Sequence, residues 1–302
     1  MAFKNALRIL VNRFGLAWVL ALYTLVLVVL IGSLSLVFIL PVVDAFTTAG
    51  IFDSIGKIFA DFWEGVPLNS LGVEVQELVE RGAEIFEANG PLVVETIVMF
   101  FVVLLIYKFL LGFYELPMYR ALDGAMSSNA RLGFVNLFIS SLSKSWRFVL
   151  VKILYTTAYD TLFAFVLYCL AGLLFTPVVA IFAPLIISVY IILFQAFRYT
   201  LIAFWGPQVA VNKGAIFKSF TFSTKKAGKN FASVFSSFII TWVFIIALNL
   251  FIGIFTFGAG LILTIPVSML FILILNMTQY YNKTGRRYYA DGEIITPPNT
   301  TG

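Results

Sequence analysis

Six apolar stretches, each about as long as a membrane-spanning helix, dominate this 302-residue sequence. A helix needs about 20 predominantly apolar residues to cross the hydrocarbon core of a bilayer. The sequence is 61% hydrophobic and 12% charged, whereas soluble domains contain about 25% charged residues, so lipid must be its solvent. The pattern predicts an all-α, polytopic membrane helix bundle with six transmembrane helices in a single membrane domain, residues 1–302. The stretches occupy roughly residues 15–40, 91–113, 149–174, 178–205, 232–256 and 259–279.

The charged residues are sorted between the segments that connect these stretches. Of the 20 Lys and Arg residues, all but Lys57 and Arg81 lie in or beside segments that would share one side of a membrane. Acidic residues are instead concentrated in residues 41–90. The positive-inside rule therefore predicts cytoplasmic N- and C-termini, a cytoplasmic tail at 280–302, and an extracytoplasmic acidic helical insertion at 41–90. We expect the protein in the cytoplasmic (inner) membrane of a bacterium.

Each predicted pair of spans is preceded on the basic side by a segment with amphipathic helical spacing. This arrangement predicts three parallel helical-hairpin repeats, each led by an interfacial helix. The alternative is that any hairpin entering from the cytoplasm carries such a basic anchor, without repetition. The expected apolar faces are Phe3, Leu7, Leu10, Val11 and Phe14 in the first segment, Phe134, Phe138, Leu142 and Trp146 in the second, and Phe217 and Phe220 in the third.

Asp160 is the charged residue that the sequence places deepest in a predicted span. It lies 13 residues after Arg147, or roughly 20 Å at about 1.5 Å per residue. A charge at that depth needs a partner, and Arg198 in the next span is the natural candidate. The pair is either a structural lock between two helices or, with Asp160 as a proton or cation relay, part of a transport path. Residues expected to complete its hydrogen bonds are Tyr155, Tyr159, Thr161, Gln195 and Tyr199, and Asn249 is expected to bridge two other spans.

Two surfaces are candidates for binding. Five lysines near the third amphipathic segment predict contact with anionic lipid headgroups: Lys213, Lys218, Lys225, Lys226 and Lys229. The 41–90 insertion is expected to form two short helices, broken near Pro67, which either cap the bundle or receive a protein partner. The residues expected at that partner surface are Phe59, Phe62, Trp63, Glu77 and Glu84.

Several classes of chemistry are excluded by composition. The sequence has one cysteine, Cys169, and no histidine, so the usual ligands of zinc, haem and iron–sulfur sites are missing and no metal or cofactor is expected. Walker, Gly-x-Ser-x-Gly and His-Glu-x-x-His motifs are absent from the sequence, and no catalytic residue is predicted. The net charge of +5 lies beside apolar stretches, which favours lipid rather than nucleic acid as its partner.

Two segments carry a family resemblance. One is Trp205-Gly-Pro-Gln-Val-Ala-Val-Asn-Lys-Gly-Ala-Ile-Phe-Lys-Ser-Phe, and the other runs from Glu115-Leu-Pro to Arg131-Leu-Gly-Phe-Val-Asn-Leu-Phe. They resemble six-span bacterial membrane families of unknown function, including the membrane domain attached to some glycerophosphodiester phosphodiesterases. The resemblance covers most of residues 92–280 and implies a six-span fold. It carries over no catalytic residue, because the phosphodiesterase activity belongs to a separate soluble domain, and the 41–90 insertion departs from the short first hairpin loop of those families.

These observations predict a non-enzymatic integral membrane scaffold or accessory subunit that acts through protein partners or lipids. The alternative is a small-molecule transporter or permease with Asp160 in the translocation path. A third possibility is that the basic surface senses or organises anionic lipid.

Overall fold

The computed structural model describes residues 2–88, 90–130, 133–174 and 182–297, and this part of the chain is almost entirely helical. A short antiparallel pair of strands, β1 (Tyr288–Ala290) and β2 (Glu293–Ile295), follows the last helix. The helices are α1 (Ala2–Asn12), α2 (Gly15–Thr48), α3 (Ile51–Trp63), α4 (Leu68–Ala88), α5 (Gly90–Gly112), α6 (Glu115–Ser128), α7 (Phe134–Leu174), α8 (Ala183–Ile202), α9 (Trp205–Val211), α10 (Ile216–Lys229), α11 (Phe231–Phe255) and α12 (Leu261–Thr284).

Six helices among the described residues are long and apolar enough to cross a membrane, which confirms the predicted bundle: α2, α5, α7, α8, α11 and α12. The chain is therefore a multi-pass membrane protein. Two boundaries differ from expectation, because α2 continues past residue 40 to Thr48 with Pro41 inside it, and α7 begins at Phe134. The second amphipathic segment is thus continuous with its span rather than a separate interfacial helix. The connection expected at Thr176-Pro177 lies outside the described residues.

The chain divides into two compact units, residues 26–108 and residues 1–25 with 109–302. In the 26–108 unit, the insertion forms two helices as predicted, and α3 packs against α4. Ile51 and Leu71 are buried. Lys57 Nζ donates to Glu74 Oε1 over 3.2 Å, and this hydrogen bond and the carboxylate charge raise the pKa of Lys57. Apolar burial and this exposed ion pair together join the two short helices.

The core of the other unit lies among α1, α6, α9 and the C-terminal half of α12. Every residue from Leu270 to Tyr281 is buried, so this part of α12 is enclosed on all sides. Short α9 contributes Trp205, which is 1% exposed, and α1 places the Phe3 ring 5.3 Å from that of Phe271. The apolar composition of α12 thus serves protein packing at one end of the helix.

The first amphipathic segment buries only part of the predicted face, namely Leu10, with Phe3 packed against the core. In α1 the buried residues are Ala6, Ile9 and Leu10, whereas Val11 of the predicted face is 71% exposed. Leu7 and Phe14 are also exposed, while Phe3 does pack against the core.

The same correction applies to the other two segments. In α7, Ser141 and Ser145 are buried while the predicted Leu142 and Trp146 are exposed. In α10 the predicted Phe217 is 69% exposed. The buried residues of α10 are Ser219, Ser223 and Ala227. Phe134 and Phe220 pack against the core, and the half-buried Phe138 has its ring centroid 6.1 Å from that of Tyr23. Small side chains let helices approach closely, and large apolar ones are stable against lipid.

The segment predicted as a tail is folded up to residue 297. The helix α12 ends at Thr284 with Gly285 in the left-handed conformation, and the strands pair through an Asp291-Gly292 turn. Both turn residues have positive φ, as a tight two-residue hairpin requires. Tyr288 is 1% exposed, and burial raises the pKa of its phenol while a hydrogen bond from Asn5 opposes that shift. This sheet is the only departure from an all-α fold in the described residues.

Candidate functional site

Asp160 and Arg198 form the predicted intramembrane ion pair. Arg198 Nη1 donates to Asp160 Oδ1 over 2.8 Å and joins α7 to α8. The Arg198 side chain is 16% exposed and that of Asp160 is 37% exposed. The pairing neutralises both charges within apolar helices, while the carboxylate keeps part of its surface accessible.

Tyrosine rings flank the Arg198 guanidinium, and the hydroxyls of Tyr155 and Tyr159 bond to backbone carbonyls rather than to the ion pair. Its Cζ lies 5.9 Å from the ring centroids of Tyr159 and Tyr199, within the range of a cation–π contact. Tyr155 and Tyr159 donate to the backbone carbonyls of Arg198 and Phe194, over 3.5 and 3.0 Å. Arg198 Nε is buried and has no hydrogen-bond partner among the described residues. The tyrosines therefore fasten α8 to α7 rather than complete the hydrogen bonding of the ion pair.

A second ion pair was missed by sequence reasoning. Lys152 in α7 donates to Glu115 in α6, and their side chains are 20% and 11% exposed. Lys152 lies inside the third predicted span, and a charge there requires a partner. That requirement was the available signal, but the partner is 37 positions away in the chain.

Two groups of polar side-chain hydrogen bonds join α12 to α6 and to the segment of α9 and Asn212. We call Tyr119, Gln208, Asn212, Asn276 and Tyr280 the polar hub. Asn276 Nδ2 donates to the Tyr119 hydroxyl over 2.7 Å. Gln208 Oε1 accepts hydrogen bonds from the Tyr280 hydroxyl and from Asn212 Nδ2, each over 2.8 Å. The Tyr119–Asn276 pair is buried, whereas Asn212 in the other group is exposed.

Charged residues border the polar hub on α6 and after α12. Arg286 Nη2 donates to Asn212 Oδ1 over 2.8 Å, and the Tyr281 hydroxyl donates to Asp123. Asn276 is 4% exposed, and its Oδ1 has no partner among the described residues. None of these residues was predicted from the sequence as a site residue, because each lies at the end of a predicted span or in a connecting segment.

The five candidate lysines do not form one cluster of contacts. Lys213 precedes α10 in the left-handed conformation, with φ 51°. Lys218, Lys225 and Lys229 are exposed on α10, and Lys226 is half-buried. The helix presents these cations away from its buried stripe of small residues, which leaves them available to an anionic surface.

The candidate partner surface of the 26–108 unit is exposed as expected. Phe59, Phe62 and Trp63 are 63%, 55% and 82% exposed on α3, and Glu77 and Glu84 are exposed on α4. Within α3, Ile51 is buried whereas these aromatic residues are exposed. The exposed aromatic face is the part that a lipid surface or a partner can contact.

The described residues hold no group of three or more His, Cys, Asp or Glu side chains placed to bind a metal ion. Cys169 is exposed on α7.

No protein-family model, curated protein or solved structure matches this chain. The resemblance to six-span bacterial families therefore stays a prediction.

Proposed function

We propose that this chain is a non-enzymatic scaffold or accessory subunit of a bacterial cytoplasmic membrane, with both termini in the cytoplasm, that acts through lipids and protein partners. The proposal is supported by the way the polar groups are divided between contacts within the protein and its exposed surface. In the unit of residues 1–25 and 109–302, the polar hub and the two ion pairs join helices to one another. The cations and aromatic residues free to bind lie on exposed faces instead.

The α3–α4 surface supports the partner role. Large exposed aromatic residues resemble the composition of interface centres, where aromatic anchors contribute most of the binding energy, and the exposed carboxylates of α4 are typical of a polar rim. We expect gentle purification to retain a stoichiometric partner that is lost in Phe59→Ser/Trp63→Ser. The matched control is Phe257→Ser, since Phe257 is fully exposed in the turn before α12. Loss of the partner in the control as well would count against a specific surface.

One observation favours the transporter alternative: Asp160 keeps 37% of its side-chain surface within an apolar helix. Ligand-dependent thermal shifts of purified protein separate the two functions. A scaffold gives no solute-specific shift, and Asp160→Asn lowers only its thermal stability. A stabilising shift with one solute class, abolished in Asp160→Asn, would replace the scaffold with a transporter.

A further inference from the structure

A cleft beside the start of α10 is lined by cationic side chains that form no ion pair with the described part of the chain. Its volume is 810 Å³, and its walls come from α7 and from the connection between α9 and α10. Lys144, Arg147 and Lys213 line it, and none of the three forms an ion pair with a described residue. We call this feature the basic cleft.

The N-terminus of α10 opens into the basic cleft. Ile216 and Phe217 line the cleft, and among the described residues no side chain caps the helix after the extended residue Ala215. The first backbone N–H groups of a helix have no intrahelical acceptor and carry the positive end of its dipole. These amides add to the three cations, and the combination suits a phosphate group.

Ser219 adds a hydroxyl that has no partner within the fold. It is 2% exposed, and its Oγ makes no hydrogen bond to any described residue. Helical Cβ atoms tilt towards the N-terminus, so this side chain is directed at the end of α10 that borders the cleft. A Cβ on Gly214 would lie 2.8 Å from the Ser219 Oγ, and Gly214 lines the cleft. The Ser219 hydroxyl therefore lies next to Gly214, a residue of the cleft that has no side chain.

The cleft is apolar where it meets the span of α7. Trp146 and Leu150 line it and are 42% and 45% exposed, and Leu154, one turn further along, is 73% exposed. Leu162, about two turns beyond Leu154, is exposed as well. A ligand that joins a phosphate to acyl chains matches both the cations and this face, whereas a free phosphate ion uses only the cations.

We propose that the basic cleft binds the headgroup phosphate of one anionic phospholipid, whose acyl chains follow the exposed face of α7. Lys144, Arg147 and Lys213 neutralise the phosphate, the amides of α10 donate to its oxygens, and Ser219 supplies a further hydroxyl. This proposal rests on the proposed function, and it adds that one lipid binds per chain, in the basic cleft. It differs from general attraction by the lysines of α10, which needs no cleft.

Native mass spectrometry of the full-length protein tests the proposal. The protein is titrated with phosphatidylglycerol and, as the reference, with phosphatidylcholine of the same acyl chains. We expect one phosphatidylglycerol per chain to bind in preference, and the affinity to fall roughly 100-fold in Lys144→Gln/Arg147→Gln/Lys213→Gln, at about fivefold for each cation. The control Lys218→Gln/Lys225→Gln/Lys229→Gln removes the same charge from α10 and should leave that lipid bound.

Three results would overturn the site. Equal losses in both variants would indicate diffuse charge attraction, and no loss in the cleft variant would place the lipid elsewhere. Displacement by inorganic phosphate or glycerol 3-phosphate with an affinity similar to that of the lipid would assign the cleft to a soluble phosphate.

If the cleft variant does not fold, Ser219→Ala provides the decisive measurement, because it removes one hydroxyl and no charge. We expect the affinity for phosphatidylglycerol to fall by at least about threefold, because one hydrogen bond is lost. The thermal midpoint of the protein should stay unchanged. Unchanged affinity contradicts the site. None of these failures affects partner binding by the α3–α4 surface, so the proposed function can survive them.

Discussion

Gly206 in α9 lies against the ring of Tyr119, and a Cβ at this position would be 2.1 Å from the ring Cε2. Tyr119 is 3% exposed and its hydroxyl accepts a hydrogen bond from Asn276, so the ring cannot move without disturbing the polar hub. The absence of a side chain at Gly206 therefore allows α9 to pack closely against α6.

We expect Gly206→Ala to lower the free energy of unfolding by about 1–3 kcal/mol through overpacking. Thermal unfolding in a fixed detergent measures the change. Gly228→Ala in α10 is the control, because no atom of the described residues lies within 4 Å of its Cβ position and alanine favours the helix by about 0.5–1 kcal/mol. Equal stability of the two variants would contradict the close contact.

Lys152 and Glu115 provide a second test at single residues. Glu115 is 8% exposed, so Lys152→Met leaves a buried carboxylate without its cation. We expect a loss of about 3–5 kcal/mol, and recovery of much of it in Lys152→Met/Glu115→Leu, since an apolar pair of similar volume avoids the uncompensated charge. The exposed Lys225→Met should change stability by less than about 0.5 kcal/mol. Additive losses in the double variant would mean that the two residues are not coupled.

The helix α10 is held by small residues at four-residue intervals, Ser219, Ser223 and Ala227. Ser223 Oγ accepts from the Phe204 backbone N–H over 3.2 Å and donates to the Leu201 carbonyl over 2.9 Å. It satisfies backbone groups where α8 ends and α9 begins. The stripe therefore joins α10 to this junction by both close packing and hydrogen bonding.

Replacing Ser223 by Val should weaken this junction. We expect a loss of about 1–3 kcal/mol, because the Phe204 amide and the Leu201 carbonyl lose a buried partner. Urea or thermal unfolding and hydrogen exchange at Phe204 would report it. Thr221→Val is the matched change on the exposed side of α10, where the hydroxyl bonds only to Phe217 of its own helix, and it should be nearly neutral.

At this scale the sequence predicted that amphipathic segments exist but identified only part of each buried face, such as Leu10 and Phe134. Spacing alone identifies a face that differs from the rest of the helix, and the rule that apolar residues turn inward holds for water. In lipid, Trp146 and Phe217 are stable facing outward, and Ser145 and Ser223 allow close contact inward. Asn249 was predicted correctly as a bridge, since it donates to Ser268 Oγ over 3.0 Å and accepts from Thr264 over 2.8 Å.

For the whole molecule, the charge distribution predicts which segments share a side of the membrane. A Cys169→Ser background allows single cysteines to be tested with a membrane-impermeant thiol reagent. We expect Glu77→Cys to react in intact cells and Lys229→Cys to react only after permeabilisation, because both positions are exposed on the protein. Reaction of Lys229→Cys in intact cells would reverse the predicted orientation.

The sequence by itself determined the solvent of this protein, the number of spans and the partner of Asp160. Runs of about 20 apolar residues are stable as helices that span a bilayer, and a charge deep in such a helix must be paired. All three features therefore follow from local composition. Only the tertiary structure decided which faces are buried, that Leu270–Tyr281 is enclosed, and that the polar hub and basic cleft form. The physical reason is that an apolar side chain gains similarly from lipid and from a protein core. Partners such as Asn276 and Tyr119, 157 positions apart, meet only when the helices have packed.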